Sequence, residues 1–267
     1  MTSLYKPPTF IGSATPRSST VHLASSAAIG TWNADRTCSG SDDQTTINAA
    51  LATDLGTNPG RILLSEGVFN LRDALDMYTG QVLEGQGFGT ILDLTGWVGA
   101  SNTGVIRLAN TSVHGIQVKN LTIRCTSRGT NVDGIYLNNS GGSFGGGAFS
   151  TSPDVQHLIQ NVLILAPSGC GIRSTGGATD AETAASTNSS TITSTSGNAR
   201  GTWISNVFVF FAGRNGLFWH APDSFISNFV TGDSQRSGIV SRGGNVRFFG
   251  CKSYYSTWHG VVMDGNR

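Results

Sequence analysis

Four aspartates in the strand-rich part of the chain, Asp133, Asp223, Asp233 and Asp264, are the groups from which acid–base chemistry would be drawn. Cleavage of a glycosidic bond needs two carboxyls about 5–10 Å apart, one to protonate the leaving oxygen and one to act as base or nucleophile. Nothing in the spacing pairs these four. Asp223 and Asp233 stand five residues either side of Asn228, and the positions 22 residues from Asp233 are Phe211 and Tyr255. Turn and surface roles account for all four, and no catalytic residue is assigned. Trp219, Tyr254, Tyr255 and Trp258 carry flat apolar rings that could stack on sugars; packing within the fold is the competing reading. Calcium requires clustered acidic oxygens. The cysteines, Cys38, Cys125, Cys170 and Cys251, show no CxxC spacing. Free thiols are therefore expected, with no metal and no cofactor.

These residues sit on a repeat. Gly216-Leu217, Gly238-Ile239 and Gly260-Val261 recur every 22 residues, and ten residues before each stand Asn206, Asn228 and Gly250. Asn161 with Gly171-Ile172 keeps the same internal spacing. A fixed period of this length means a solenoid whose coils must stack to bury their apolar faces. The repeated segments, Ile159–Ile164, Ile204–Val209, Ile226–Thr231 and the earlier Val118–Ile123, read as strands. Alternation places the first, fourth and sixth residues of each on one face, with a bend at the asparagine. The inward set is Ile159, Val162, Ile164, Ile204, Val207, Val209, Ile226 and Phe229. Asparagines stacked at the bend can bond one another along the solenoid. Two positions that should face outward are also apolar: Leu158, Trp203, Phe225 and Leu163, Phe208, Val230.

The composition agrees with an all-β solenoid. Of 267 residues 36 are glycine and only 12% are charged, which suits tight turns and stacked strands. The net charge of +1 gives no electrostatic case for nucleic acid or an anionic membrane. No apolar run approaches the ~20 residues of a membrane-spanning helix. The opening residues, Met1 to Pro8, contain no apolar core of a secretory signal.

Along the chain, residues 1–40 are rich in Ser, Thr, Pro and Ala and read as an N-terminal attachment arm or linker. Residues 41–56 read as a capping helix. It would open on a capping box with Ser41 as N-cap and Gln44 at N3, and carry Ile47, Ala50 and Leu51 on its buried face. Its place is over the open end of the solenoid, where strand edges would otherwise be bare. Residues 57–267 form the solenoid, with first strands at Arg61–Leu64, Gly67–Leu71, Val82–Gly85 and Thr90–Leu94. Polar insertions from Asn138 to Ser152 and from Ser174 to Ala199 read as surface loops. No capping pattern follows Gly260-Val261, so a continuing chain or a partner is expected to cover that end.

Three segments resemble a known superfamily: Cys38–Leu51, Leu64–Leu71 and Leu83–Thr90. Together they are similar to the entry motifs of pectate-lyase-like right-handed parallel β-helices, in the combination frequent among phage tail spikes and tail fibres. The resemblance covers roughly residues 38–267 and is specific for fold, weak for function. It implies a search for the superfamily's catalytic motifs. Asn131-Val132-Asp133 matches an Asn-x-Asp, but the one Asp-Asp pair, Asp42-Asp43, opens the capping helix. Trp258-His259-Gly260 lacks the first glycine of Gly-His-Gly, and Arg-x-Lys is absent.

Two functions follow as expectations. One is a structural virion protein, a bacteriophage tail spike or fibre subunit that takes part in host-surface attachment. It would assemble as a homotrimer through Leu158, Leu163, Trp203, Phe208, Phe225 and Val230, and meet other virion tail proteins through residues 1–40. Neither nucleic acid binding nor membrane insertion is expected. The alternative is a polysaccharide depolymerase, a lyase or glycosidase, built on the same scaffold.

Overall fold

A computed structural model of the chain describes residues 20–28, 33–127, 129–138, 156–174 and 199–263. The two polar insertions lie almost wholly outside these residues. The architecture is a parallel β-helix. Each coil contributes a long strand to one parallel sheet and a short strand to a second. In the long sheet Gln117–Arg124, Leu158–Leu165, Trp203–Phe210 and Phe225–Gly232 stack in that order, in register at Leu121, Val162, Val207 and Phe229. In the second sheet Val132–Leu137, Ile172–Ser174, Leu217–Trp219, Ile239–Ser241 and Val261–Met263 follow the same order. Every residue of the expected inward set is fully buried.

The bend in each long strand is a left-handed residue. Asn120, Asn161, Asn206 and Asn228 have φ between 49° and 55°, and Gly250 continues the column at 64°. Asparagine tolerates this region better than other side-chain-bearing residues. Its amide then bonds the asparagine below: Asn228 Nδ2 donates to Asn206 Oδ1 at 3.0 Å, Asn206 to Asn161 at 3.2 Å, and Asn161 to Asn120 at 2.9 Å. Asn120 ends the ladder on Glu84 at 3.1 Å.

The glycine landmarks have a different cause. Gly134, Gly171, Gly216, Gly238 and Gly260 stack where the chain enters the second sheet. A Cβ on Gly216 would lie 2.7 Å from the Gly238 carbonyl oxygen, and one on Gly171 2.5 Å from that of Gly216. From Gly134 to Gly238 the coils approach backbone to backbone and no side chain fits, whereas at Gly260 an added Cβ would come no nearer than 3.8 Å to another atom among the described residues.

A short helix lies over the first coils, as expected, but not through the expected capping box. The α-helix spans Asp43–Ala49 and widens into π-type turns over Ala50–Asp54. Its N-cap is Asp42, left-handed and without a side-chain cap. The polar side chains cap the sheet instead. Asp43 Oδ2 accepts from Asn70 N at 2.8 Å, Gln44 Oε1 from Arg72 N at 3.0 Å and Asn48 Oδ1 from Asp76 N at 2.9 Å; Asn48 Nδ2 donates to Ala74 O at 2.8 Å. These bonds satisfy the free edges of strands Gly67–Leu71 and Leu75–Met77, which a solenoid end would leave open. Ile47, Ala50 and Leu51 are buried beneath.

Part of the arm expected over residues 1–40 belongs to the solenoid instead. Thr20–Ala24 is a strand paired in parallel with Gly60–Leu64, and Val21 and Leu23 enter the core. Five alternating residues are too few to stand out in a Ser/Thr-rich tract. The rest of the arm, residues 1–19, lies outside the described residues.

Candidate functional site

Asp133, Asp223 and Asp233 occupy three separate places. Asp133 lies at the start of a second-sheet strand and is fully buried. The guanidinium of Arg173 donates to Asp133 Oδ2, and the Cys170 amide donates to Oδ1 at 2.6 Å. Arg173 in turn lies 3.9 Å over the Tyr136 ring and donates to the Asn102 carbonyl at 3.1 Å. Burial pushes the Asp133 carboxyl up to about 6 against the pull of Arg173, so it is ionised at neutral pH. This is an ion pair built into the wall of the helix. Asn131, the first residue of the Asn-x-Asp match, is a left-handed corner that bonds Asn102 at 3.1 Å.

Asp223 is also a left-handed corner. It accepts from Arg200 Nε at 2.6 Å and from Asn245 Nδ2 at 2.7 Å. Asp233 stands at the opposite end of the same strand, Phe225–Gly232, half-buried and left-handed. Asp264 lies outside the described residues. Two of the three described acids thus have arginine partners, and no group of three or more His, Cys, Asp or Glu among the described residues could hold a metal ion. Among the described residues all four cysteines are free thiols.

Trp219 is not a surface ring. It is fully buried, because Leu217 and Trp219 face the solenoid interior on a three-residue strand, while Phe218 lies on the other face, buried with Cys170 and Val240. Trp258 is half-buried with the Arg236 guanidinium 5.1 Å from its ring. Tyr254 is half-buried and meets Phe210 at 6.3 Å and Tyr255 edge-on at 5.5 Å. Tyr255 is 81% exposed. Phe211, which the sequence did not single out, is exposed beside this cluster, 6.4 Å from Phe210. No signal in the sequence marks it, because its equivalents in neighbouring coils are Ala166, Asp233 and Tyr255.

The apolar stripe faces outward as its register requires. One column reads Gln117, Leu158, Trp203, Phe225, Arg247 and the other Thr122, Leu163, Phe208, Val230, Lys252. Trp203 is 57% exposed and tilts against Phe225 with ring centres 5.1 Å apart. The remaining stripe residues are half-buried, and Phe88 from a preceding loop meets Phe208 edge-on at 6.5 Å.

No protein-family model matches the chain, and no curated protein matches it in sequence. Solved structures do match in shape. The A-module of mannuronan C-5 epimerase AlgE6 from Azotobacter vinelandii superposes with a TM-score of 0.56 at 15% identity, over 84% of this chain and 54% of that one. The AlgE4 A-module of the same organism gives 0.48 at 16% identity, over 81% and 56%. The ORF18 protein of Geobacillus virus E2 gives 0.45 at 12% identity, over 80% and 39%. The chain thus spans about half the length of the epimerase modules. At this identity the likeness to the AlgE6 module shows the fold, a parallel β-helix, and the function has to be argued from the surface.

Proposed function

We propose that this chain is a structural subunit of a bacteriophage tail spike or tail fibre, assembles as a homotrimer, and contributes to attachment at the host surface. The observation that carries the reading is the outward stripe of Leu158, Trp203, Phe225, Leu163, Phe208 and Val230. It runs along the solenoid on one face of the long sheet, in register over three coils. A contiguous apolar patch on an outer sheet face marks an interface. Parallel solenoids packed side by side about a threefold axis would bury it in every subunit. Arg247 and Lys252 end the stripe in the next coil, so subunit contacts turn polar or diverge there. Residues 1–40 are proposed to meet other tail proteins, chiefly through the segment before Thr20, and the location that goes with this reading is the virion. The depolymerase reading has weaker support, since Asp133 and Asp223 are held by arginines. The mass of the native full-length protein tests the assembly: three copies are expected, and a stable monomer contradicts it. Release of reducing ends or unsaturated sugars from host glycan by this chain would overturn the non-catalytic part.

A further inference from the structure

The corner that follows each long strand is unlike the others. In four successive coils the chain turns there through Ala166, Phe211, Asp233 and Tyr255, with φ of 55°, 60°, 55° and 53°. Left-handed backbone is unfavourable for residues with a Cβ and least suited to bulky ones. The remaining corner columns meet the same demand with tolerant residues at all but one position: Asn120 to Gly250, Asn102 with Asn131, and Gly201, Asp223 and Asn245, where Gln156 is the exception. Here two aromatic side chains accept the strain and stand in solvent, Phe211 53% exposed and Tyr255 81% exposed. Rings so exposed recover little burial energy, so packing does not account for them.

Between them, one coil from each, stands Asp233. No hydrogen bond or ion pair among the described residues engages its carboxylate. The support behind the ledge is built. Phe210 packs on Phe211, and Tyr254 reaches across a whole coil to Phe210 because Gly232 between them has no side chain; a Cβ there would meet the Tyr254 ring at 2.7 Å. The result is a row parallel to the solenoid axis, ring, carboxylate, ring, in steps of about 4.8 Å. A pyranose in an extended chain advances by a similar step.

We propose that this ledge binds a neutral polysaccharide strand lying along the solenoid axis. The C–H faces of alternate sugars stack on Phe211 and Tyr255, and Asp233 accepts hydrogen bonds from hydroxyls of the sugar between. A carboxylate at the centre repels uronate chains. The inference deepens the attachment reading by giving it a site and a ligand class.

The test is affinity electrophoresis of the full chain in native gels containing hydroxyethyl cellulose, galactomannan, dextran or alginate, on the sample whose mass is measured. Retardation by at least one neutral glycan and none by alginate is expected. Tyr255→Asn and Phe211→Asn replace a ring with a residue suited to left-handed backbone. Each should melt no lower than the parent while weakening retardation at least tenfold, and Asp233→Ala should weaken it similarly. Free migration of the parent in every neutral gel overturns the ledge, as does stronger retardation by alginate or unchanged binding of Tyr255→Asn. A trimer that runs free removes the ledge alone. A monomer that is retarded removes the assembly alone.

Discussion

Gly216→Ala adds one methyl group where two coils meet, and the structure sets its cost. The new Cβ would lie 2.0 Å from Thr231 Oγ1, 2.6 Å from Thr231 Cβ and 2.7 Å from the Gly238 carbonyl oxygen. The hydroxyl can rotate, but it is buried and bonded to Ser234 Oγ at 3.1 Å, so moving it forfeits about 1 kcal/mol. The carbonyl cannot rotate, because it accepts from Leu217 N at 2.8 Å and lies in the ladder between coils. Relieving that contact means pushing neighbouring coils apart locally, an overpacking cost of about 1–3 kcal/mol. The gain from a stiffer unfolded chain is below about 1 kcal/mol. The net loss is about 3 kcal/mol, or roughly 6–12 °C in Tm for a domain of this size. Gly244→Ala is the control: among the described residues no heavy atom lies within 4 Å of its added Cβ, and its melting should be unchanged or slightly higher. Thr231→Ala introduced with Gly216→Ala should recover part of the loss, because it clears the hydroxyl and leaves residue 231 Cβ and the Gly238 carbonyl in place. Thermal unfolding followed by far-UV circular dichroism reads all four proteins. Equal midpoints for Gly216→Ala and Gly244→Ala would refute the close-approach account of the 22-residue glycine period.

Val207→Asp buries an unpaired charge in the middle of the core and should cost about 4 kcal/mol or more, while Thr257→Asp on the exposed surface should stay within about 0.5 kcal/mol; similar urea midpoints would contradict the inside/outside assignment. Asn206→Ala removes two ladder bonds and a left-handed-tolerant residue, with an expected loss of about 2–3 kcal/mol, and Asn206→Gly should recover the backbone share of it; equal Tm for the two variants would show that backbone conformation contributes nothing. Two buried groups among the described residues bear on the pH profile in opposite senses. Burial, with His114 adding to it, lowers His157 to about 3, so its contribution is complete above its unfolded value near 6.5 and is lost as pH falls below that. Burial raises Asp133 to about 6, so its contribution is present below the unfolded value near 3.8 and is lost as pH rises through 6. Between about pH 4 and 6 the two slopes oppose. His157→Gln should therefore unmask a Tm that rises on acidification across that window, and a variant whose Tm falls there contradicts the assignment.

The long-strand register was legible because a fixed period converts one inward residue into a column of them. Val162, Val207 and Phe229 could be aligned from sequence alone, and the asparagine ladder came with them. Trp219 was misplaced for the converse reason: on a three-residue strand, alternation gives no second inward residue beyond Leu217 to fix which face the tryptophan takes. The capping helix was found by its apolar residues, yet the role of its polar ones was hidden. Asp43, Gln44 and Asn48 look like helix-capping and solvated residues until the free edges of strands Gly67–Leu71 and Leu75–Met77 are placed beside them. A sequence shows which groups can bond, and only the fold shows whose amides lack partners.

The corner columns separate what the backbone demands from what the surface does with it. Every coil turns through left-handed residues, which favour asparagine, aspartate or glycine, as three of the corner columns show at every position but Gln156. At Ala166, Phe211, Asp233 and Tyr255 the same left-handed backbone carries four unlike side chains, so conformation does not select the side chain. The four stand at the edge of the long sheet beside the apolar stripe. Asparagine at Phe211 and Tyr255 would suit the backbone better, and aromatic rings at so strained and exposed a site fit the contact with a glycan proposed above. On the proposed reading the stripe and the corner divide the outer face, the first for a second copy of this chain and the second for a glycan.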